Sequence, residues 1–179
     1  MAGAYRGCRS SRLNSQYRIT YRTVASQLLF GVDTMSTEHP LEKVIAAYGE
    51  AWNSHNVEAI LAMHTEDSVF GNHTSGGMGV GKDAICEILK GIFAAFPDIR
   101  FDARRTYVRD GLVTQEWTAT GTLAIPYTKG STTVQPTGKK VSWNGVDVIP
   151  FAGNLVARKD VYVDSMSFLR ALGFRQVDL

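Results

Sequence analysis

The sequence predicts an α+β protein in which helices come first and an antiparallel sheet of long strands follows. Apolar residues recur at helical spacing as far as Phe96. From Arg100 onward, four β-rich segments are separated by turns that contain glycine. Helices followed by consecutive turn-linked strands favour an antiparallel sheet. A strongly bent sheet wrapped around the N-terminal helices would form a conical α+β barrel with an internal pocket.

Three helices are predicted before the long strands. The first has an apolar face at three- and four-residue spacing, formed by Leu41, Val44, Ile45, Tyr48 and Trp52. A second short helix at 57–63 and a strand at 67–72 follow. Five glycines within 71–81 predict a loop, which we expect to be a mobile lip over a pocket entrance. The third helix spans 82–96.

The β-rich segments carry the residues that first indicate chemistry. They lie at 100–109, 112–125, 140–151 and 155–163, and a short helix at 165–173 follows them. Asp147 and Asp160 lie within the last two segments, Asp147 between Val146 and Val148 and Asp160 directly before Val161. A carboxylate in an apolar environment is costly unless it is paired, protonated or used. We therefore expect both aspartates to converge on one hydrophobic pocket.

Composition separates the N-terminal segment from the rest of the chain. The 179 residues are 44% hydrophobic and 20% charged, as in ordinary globular proteins. Residues 1–34 hold five of the 19 basic residues and one of the 17 acidic residues, so the remainder, with 14 bases and 16 acids, carries −2. The basic balance belongs to the N-terminal segment, which argues against nucleic-acid binding by the domain.

Residues 1–34 are rich in Arg and Ser and hold no apolar run long enough for a secretory signal or a membrane span. An organellar transit peptide or a start codon placed upstream of Met35 would give this composition. We interpret 1–34 as a disordered or processed extension and 35–179 as the domain. We expect a cytoplasmic location, or an organellar one if the transit peptide is genuine.

Histidines and cysteines predict no metal site. The four histidines lack the H-x-x-x-H and H-E-x-x-H spacings, and the two cysteines form no C-x-x-C pair. The glycine-rich run matches no phosphate-binding fingerprint. We therefore expect neither a metal nor another cofactor. His73 follows Asn72 at the expected pocket mouth and is a candidate for a second acid/base group, although a solvated loop histidine is the commoner case.

The order of elements resembles that of the SnoaL-like polyketide cyclases of the nuclear transport factor 2-like superfamily. The resemblance spans about Leu41 to Gly173 and includes the segments WNSHN at 52–56, TATGT at 118–122, PTGK at 136–139 and LG at 172–173. It implies the α+β barrel and places Asp160 at the position of the acid/base aspartate of those cyclases.

Two more distant relatives add candidates. The similarity to ketosteroid isomerase places Tyr48 and Asp147 at the positions of its oxygen-binding pair, but Asn72 where that enzyme has its base. The similarity to limonene epoxide hydrolase matches Asp160 and Asn72, whereas the rest of the hydrolytic set is missing. The first comparison argues against the steroid isomerisation itself, because an amide cannot take a proton from carbon. The second implies a carboxylic acid that can protonate an oxygen, without the groups that activate water.

Residues and resemblance together predict a cofactor-independent acid/base enzyme of cyclase, isomerase or lyase type. Its substrate would be a small apolar molecule bearing oxygen, such as a polyketide or a terpenoid epoxide. The expected catalytic residues are Asp160 for proton transfer, with Asp147, Tyr48, Asn72 and His73. The expected substrate-binding residues are Trp52, Phe70, Phe93, Trp117 and Trp143, each of which could equally be a core residue.

Two alternatives stay open at this point. One is an activity like that of epoxide hydrolase, and the other is a non-catalytic module that binds a small molecule or dimerises. Acids turned together into one cavity with Tyr48 and Asn72 would favour the enzyme, whereas acids that point to solvent or pair with basic side chains would favour the binding module. We expect a homodimer in either case, because a curved sheet with an apolar outer face needs cover.

Overall fold

The computed structural model describes residues 39–175, so the predicted boundary at residues 34 and 35 lies outside the described part. The elements are α1 (Pro40–Asn53), α2 (Val57–Ala62), β1 (His64–Asn72), β2 (Gly77–Val80), α3 (Lys82–Ala95), β3 (Arg100–Arg109), β4 (Leu112–Thr122), β5 (Tyr127–Lys129), β6 (Thr132–Val134), β7 (Lys140–Ala152), β8 (Leu155–Val163) and α4 (Ser165–Leu172). The predicted α+β class is confirmed.

The six-stranded sheet has the order β2-β1-β8-β7-β4-β3, and β5 and β6 form a separate hairpin. Neighbouring strands of the large sheet are antiparallel except β1 and β8, which run parallel. Parallel strands need a long crossover, and here α3 and the intervening strands provide it. The hairpin of β5 and β6 was not predicted.

The first helix is fixed at both ends by side chains. His39 caps its N-terminus, where Nδ1 accepts a hydrogen bond of 3.2 Å from the Leu41 backbone N–H. Asn53 holds its C-terminus against β3 by two hydrogen bonds to the Phe101 backbone, of 2.8 and 3.0 Å. His55 then adopts a positive φ of 54° and bonds the Ile99 carbonyl oxygen at 2.8 Å. The WNSHN segment therefore positions α1 across the sheet.

The glycine-rich segment is largely a hairpin, so the prediction of a loop over 71–81 is wrong for Gly77–Val80. This strand, β2, pairs with β1 in the register Phe70 with Gly79. A Cβ at Gly79 would lie 2.7 Å from Ile88 Cδ1, so the absence of a side chain lets α3 pack onto the hairpin. The expected mobility of this segment stays a prediction.

One extra residue in β8 decides which side chains face the interior. Val148 pairs with Asp160, and Phe151 pairs with Val156. The two β7 residues are three positions apart in the sequence, whereas their β8 partners are four positions apart. Such a bulge reverses the alternation of faces along a strand. Val156 is buried before it, and Lys159 and Val161 are buried after it. Asp160 is thereby turned to the outer face.

Within residues 39–175, no helix is both long and apolar enough to cross a bilayer. The cytoplasmic location and the homodimer stay predictions.

Candidate functional site

A cavity of about 360 Å³ lies between α1, α3, α4 and the concave face of the large sheet. Its volume is at the lower end of the range of roughly 300–1,000 Å³ found for small-molecule sites. Nine aromatic residues line it: Tyr48, Trp52, Phe70, Phe96, Phe101, Trp117, Tyr127, Trp143 and Phe168. Of the predicted wall residues, only Phe93 does not line the cavity, and its ring stacks on His55 instead, at 4.6 Å.

An ion pair lies in the wall of this largely apolar cavity. Lys159 Nζ donates a hydrogen bond to Asp147 Oδ2, and both residues line the cavity while only 5% exposed. Nζ also lies 5.4 Å from the ring centre of Trp52 and 5.9 Å from that of Tyr48. Lys159 was not predicted, because it stands between Arg158 and Asp160 and reads as part of a charged surface run.

Three buried polar atoms at the cavity have no hydrogen-bond partner within the described residues. They are Asp147 Oδ1, Trp52 Nε1 and Trp117 Nε1, and all three residues line the cavity. Buried polar groups are nearly always satisfied, so each exception calls for an explanation. One carboxylate acceptor and two indole donors around an apolar space are suited to a ligand with a polar oxygen.

Tyr48 lines the cavity as predicted, and a buried chain of hydrogen bonds extends behind it. Its hydroxyl lies 2.8 Å from His64 Nε2, and His64 Nδ1 lies 2.8 Å from Ser68 Oγ. Burial, and then the charge of Lys159, lower the pKa of His64 to about 4. Burial raises the pKa of the Tyr48 phenol well above its usual range. At neutral pH both groups are therefore uncharged, and Tyr48 can donate a hydrogen bond.

Asp160 does not share the cavity with Asp147, so the expected convergence of the two aspartates is wrong. Arg158 donates to its carboxylate through Nε at 2.6 Å and Nη2 at 2.7 Å. His73 Nε2 lies 2.7 Å from Asp160 Oδ1, and the His73 ring stacks on Tyr162. The hydrogen bond from Arg158 holds the pKa of Asp160 below its usual range. Neither Asp160 nor His73 lines the cavity.

Gly71 makes room for this outer cluster. It pairs with Asp160 across β1 and β8, and a Cβ at this position would lie 3.1 Å from Asp160 Oδ1. The cluster is thus built into the outer face of the sheet by strand register.

Polar side chains form a line across the concave face beside the ion pair. Strand pairing places Gln115 next to Asp147, and places Asp147 and Asn72 on either side of Val161. Asn72 Oδ1 accepts from the backbone N–H groups of Thr74 and Ser75, at 3.1 and 3.0 Å, so its Nδ2 is the atom available to donate to a ligand.

Gln115 also lines the cavity and was missed, although its period-two spacing from Val113 and Trp117, both buried, marks it as inward-facing. Among residues 39–175, no three or more His, Cys, Asp or Glu side chains are grouped so that they could hold a metal ion.

A family comparison agrees with this architecture. The family model described as a SnoaL-like domain matches residues 45–159, more than half of the chain. The chain belongs to the SnoaL-like domain family. The matched range contains both Asp147 and Lys159. No curated protein sequence matches this SnoaL-like chain.

Solved structures share the fold of this SnoaL-like protein at low sequence identity. AclR of Streptomyces galilaeus, proposed to be a hydroxylase, is 22% identical, with a TM-score of 0.63 over 74% of this chain and 95% of its own. A proposed SnoaL-like polyketide cyclase of Jannaschia sp. CCS1 is 15% identical, with a TM-score of 0.66 over 78% and 98%. IdmH of Streptomyces antibioticus, a proposed polyketide cyclase, is 20% identical, with a TM-score of 0.65 over 76% and 100%. At these identities the likeness establishes the fold.

Proposed function

We propose that this SnoaL-like protein is an acid/base enzyme of cyclase or isomerase type whose substrate is a small, mainly apolar ketone or enol held in the cavity. The observation that carries the proposal is the buried Asp147 Oδ1, which has no partner among the described residues although it lies beside the ammonium group of Lys159. The fold shared with proposed polyketide cyclases supports the same class of reaction.

The chemistry follows from the positions of donors and acceptor. The substrate carbonyl oxygen accepts hydrogen bonds from the Lys159 ammonium group and an indole N–H of the wall. Asp147 Oδ1 takes a proton from the carbon next to that carbonyl, and the resulting enolate charge develops beside Lys159. The enolate carbon then attacks a second carbonyl to close a ring, and the alkoxide formed there takes the proton back from Asp147; in an isomerisation, Asp147 returns the proton to another carbon. Positioned bases contribute about 10²–10⁴-fold, and fixed donors to a developing oxyanion contribute about 10²–10³-fold each.

This proposal moves proton transfer from Asp160, where the family resemblance had placed it, to Asp147. Asp160 is outside the cavity and held by Arg158, whereas Asp147 lines the cavity and its buried Oδ1 has no hydrogen-bond partner among the described residues. An activity like that of epoxide hydrolase has less support, because its acid was also expected at Asp160.

The test is hydrogen exchange on a simple ketone. We expect the protein to accelerate exchange of the α-hydrogens of 2-tetralone in D₂O, followed by proton NMR. The variant D147N should lose this acceleration by at least about 10²-fold. D160N is the matched control, because it makes the same substitution at an aspartate outside the cavity. With this variant, the α-hydrogens should exchange at the wild-type rate. Exchange that depends on Asp160 and not on Asp147 would refute the assignment.

One observation favours a second function, that of a non-catalytic binding module. Both aspartates are paired with basic side chains, Asp147 with Lys159 and Asp160 with Arg158. In that case, 2-tetralone would quench the fluorescence of the tryptophans in the cavity wall, while its α-hydrogens would exchange only at the rate measured without protein. Quenching together with the exchange rate therefore separates the two functions.

A further inference from the structure

Lys159 is a primary amine enclosed by the apolar cavity, which is an unusual place for a lysine. It is 5% exposed, and lysine is almost never fully buried unless it is paired. Lys159 lies on β8, and the next residue on the same face of this strand, Val161, is apolar and also buried. Its Nζ faces the rings of Trp52 and Tyr48. The amine therefore belongs to a residue of the cavity wall.

We propose that Lys159 condenses with aldehydes and ketones in the cavity to form an imine, with Asp147 as the group that moves the protons. Lysines that form imines are activated where an apolar pocket desolvates the ammonium group. The aromatic wall supplies such a pocket, and Asp147 supplies an acceptor for the proton that the amine must lose. This reactivity uses the same cavity as the proposed function, but it does not require the α-proton transfer proposed there.

The steps balance without an external reactant. A proton passes from Lys159 Nζ to Asp147 Oδ2, which leaves a neutral amine beside a carboxylic acid. The nitrogen lone pair forms a bond to the carbonyl carbon, and the carbonyl oxygen takes the proton from Asp147, giving a carbinolamine. Nζ returns a proton to Asp147, which passes it to the hydroxyl group as water leaves. The product is a protonated imine beside the Asp147 carboxylate, so the site keeps its net charge of zero.

Lys140 provides an internal comparison of the same chemistry outside a cavity. It is also a lysine paired with an aspartate, with Nζ 3.2 Å from Asp98 Oδ2, but its side chain is 60% exposed, against 7% for that of Lys159. An imine that depends only on a lysine and a nearby carboxylate would form on both. An imine that depends on enclosure in the cavity would form on Lys159.

The experiment is reductive trapping. The full-length protein is incubated at neutral pH with 2-tetralone and sodium cyanoborohydride, which reduces iminium ions, and the adducts are located by peptide mass mapping. We expect one adduct per chain, on Lys159, at least 10-fold above the occupancy of Lys140. K159R retains a cation beside Asp147 but cannot form the imine, and it should lose the adduct while its thermal unfolding stays cooperative.

The outcomes distinguish this inference from the proposed function. An adduct on Lys159 without accelerated α-hydrogen exchange supports the inference and refutes the acid/base enzyme. Accelerated exchange without an adduct on Lys159 overturns the inference and leaves the enzyme standing. Equal labelling of Lys159 and Lys140 also overturns it, because the enclosure would then contribute nothing.

Discussion

The buried ion pair between Asp147 and Lys159 should be strongly coupled and yet dispensable for folding. Both side chains are less than a tenth exposed, at 8% and 7%. Removing one partner leaves an uncompensated charge in an apolar cavity, which costs about 3–5 kcal/mol, whereas replacing both by apolar residues is often neutral or stabilising. We therefore expect D147L and K159M each to lose about 3 kcal/mol, and the double variant to remain within about 1 kcal/mol of the wild type.

Urea denaturation followed by tryptophan fluorescence measures this directly. With a slope of about 1–3 kcal/mol per molar urea, each single variant should unfold at a midpoint lower by roughly 1–3 M. The double variant should return close to the wild-type midpoint. The coupling energy of the cycle, the two single losses minus the loss in the double variant, would then be at least about 5 kcal/mol.

The outer pair provides a matched control for this cycle. The side chains of Arg158 and Asp160 are 37% and 14% exposed, and R158M should cost no more than about 1 kcal/mol because exposed ion pairs contribute little. If the double variant of the cavity pair lost the sum of the two single losses, the pair would not be electrostatically coupled. The catalytic and imine proposals, which both rely on Asp147 and Lys159 acting as a coupled pair, would then lose their basis.

Two further predictions concern residues behind the cavity wall. The pKa of His64 is lowered from 6.5 to about 4 in the folded protein. As the pH falls below 6.5, the imidazole of the unfolded chain binds a proton that the folded protein does not bind, so stability is lost between pH 6.5 and 4. Between pH 7 and 5 the wild type should lose about 2 kcal/mol more than H64Q in urea unfolding, and equal losses would contradict the buried neutral imidazole. At Gly145 a Cβ would lie 2.3 Å from Trp117 Cζ2, so G145A must displace that indole. The variant should lose about 1–3 kcal/mol of stability and show a changed near-ultraviolet circular dichroism spectrum. Wild-type stability and an unchanged spectrum would show that the ring does not lie over this residue.

The predicted helices and long strands lie close to their observed positions because their signals are local. The spacing of apolar residues in α1 follows the helical period, and Gly173 in the left-handed conformation ends α4 where the sequence indicates. The segments predicted at 100–109 and 155–163 match β3 and β8. The strand at Gly77–Val80 was missed, since a strand of four residues with two glycines has almost no propensity signal and is formed by pairing with β1.

The candidate site was predicted in part for the same reason. Tyr48, Asn72 and Asp147 line the cavity as expected, along with four of the five aromatic residues. Asp160 was misplaced because the face of a strand residue depends on register, and a single extra residue in β8 exchanges the positions of Lys159 and Asp160. His64 was missed because it gains its role from Tyr48 on another element, whereas the period-two spacing of β4 could have identified Gln115 as inward-facing.

Periodicity and residue type are local properties, and they were enough to predict the α+β class, most element boundaries and the presence of acids within apolar strands. The tertiary structure alone decided which carboxylate faces the cavity and which lysine is enclosed with it. That decision depends on a bulge, and a bulge is defined by the pairing of β8 with its neighbours rather than by the residues of β8 itself.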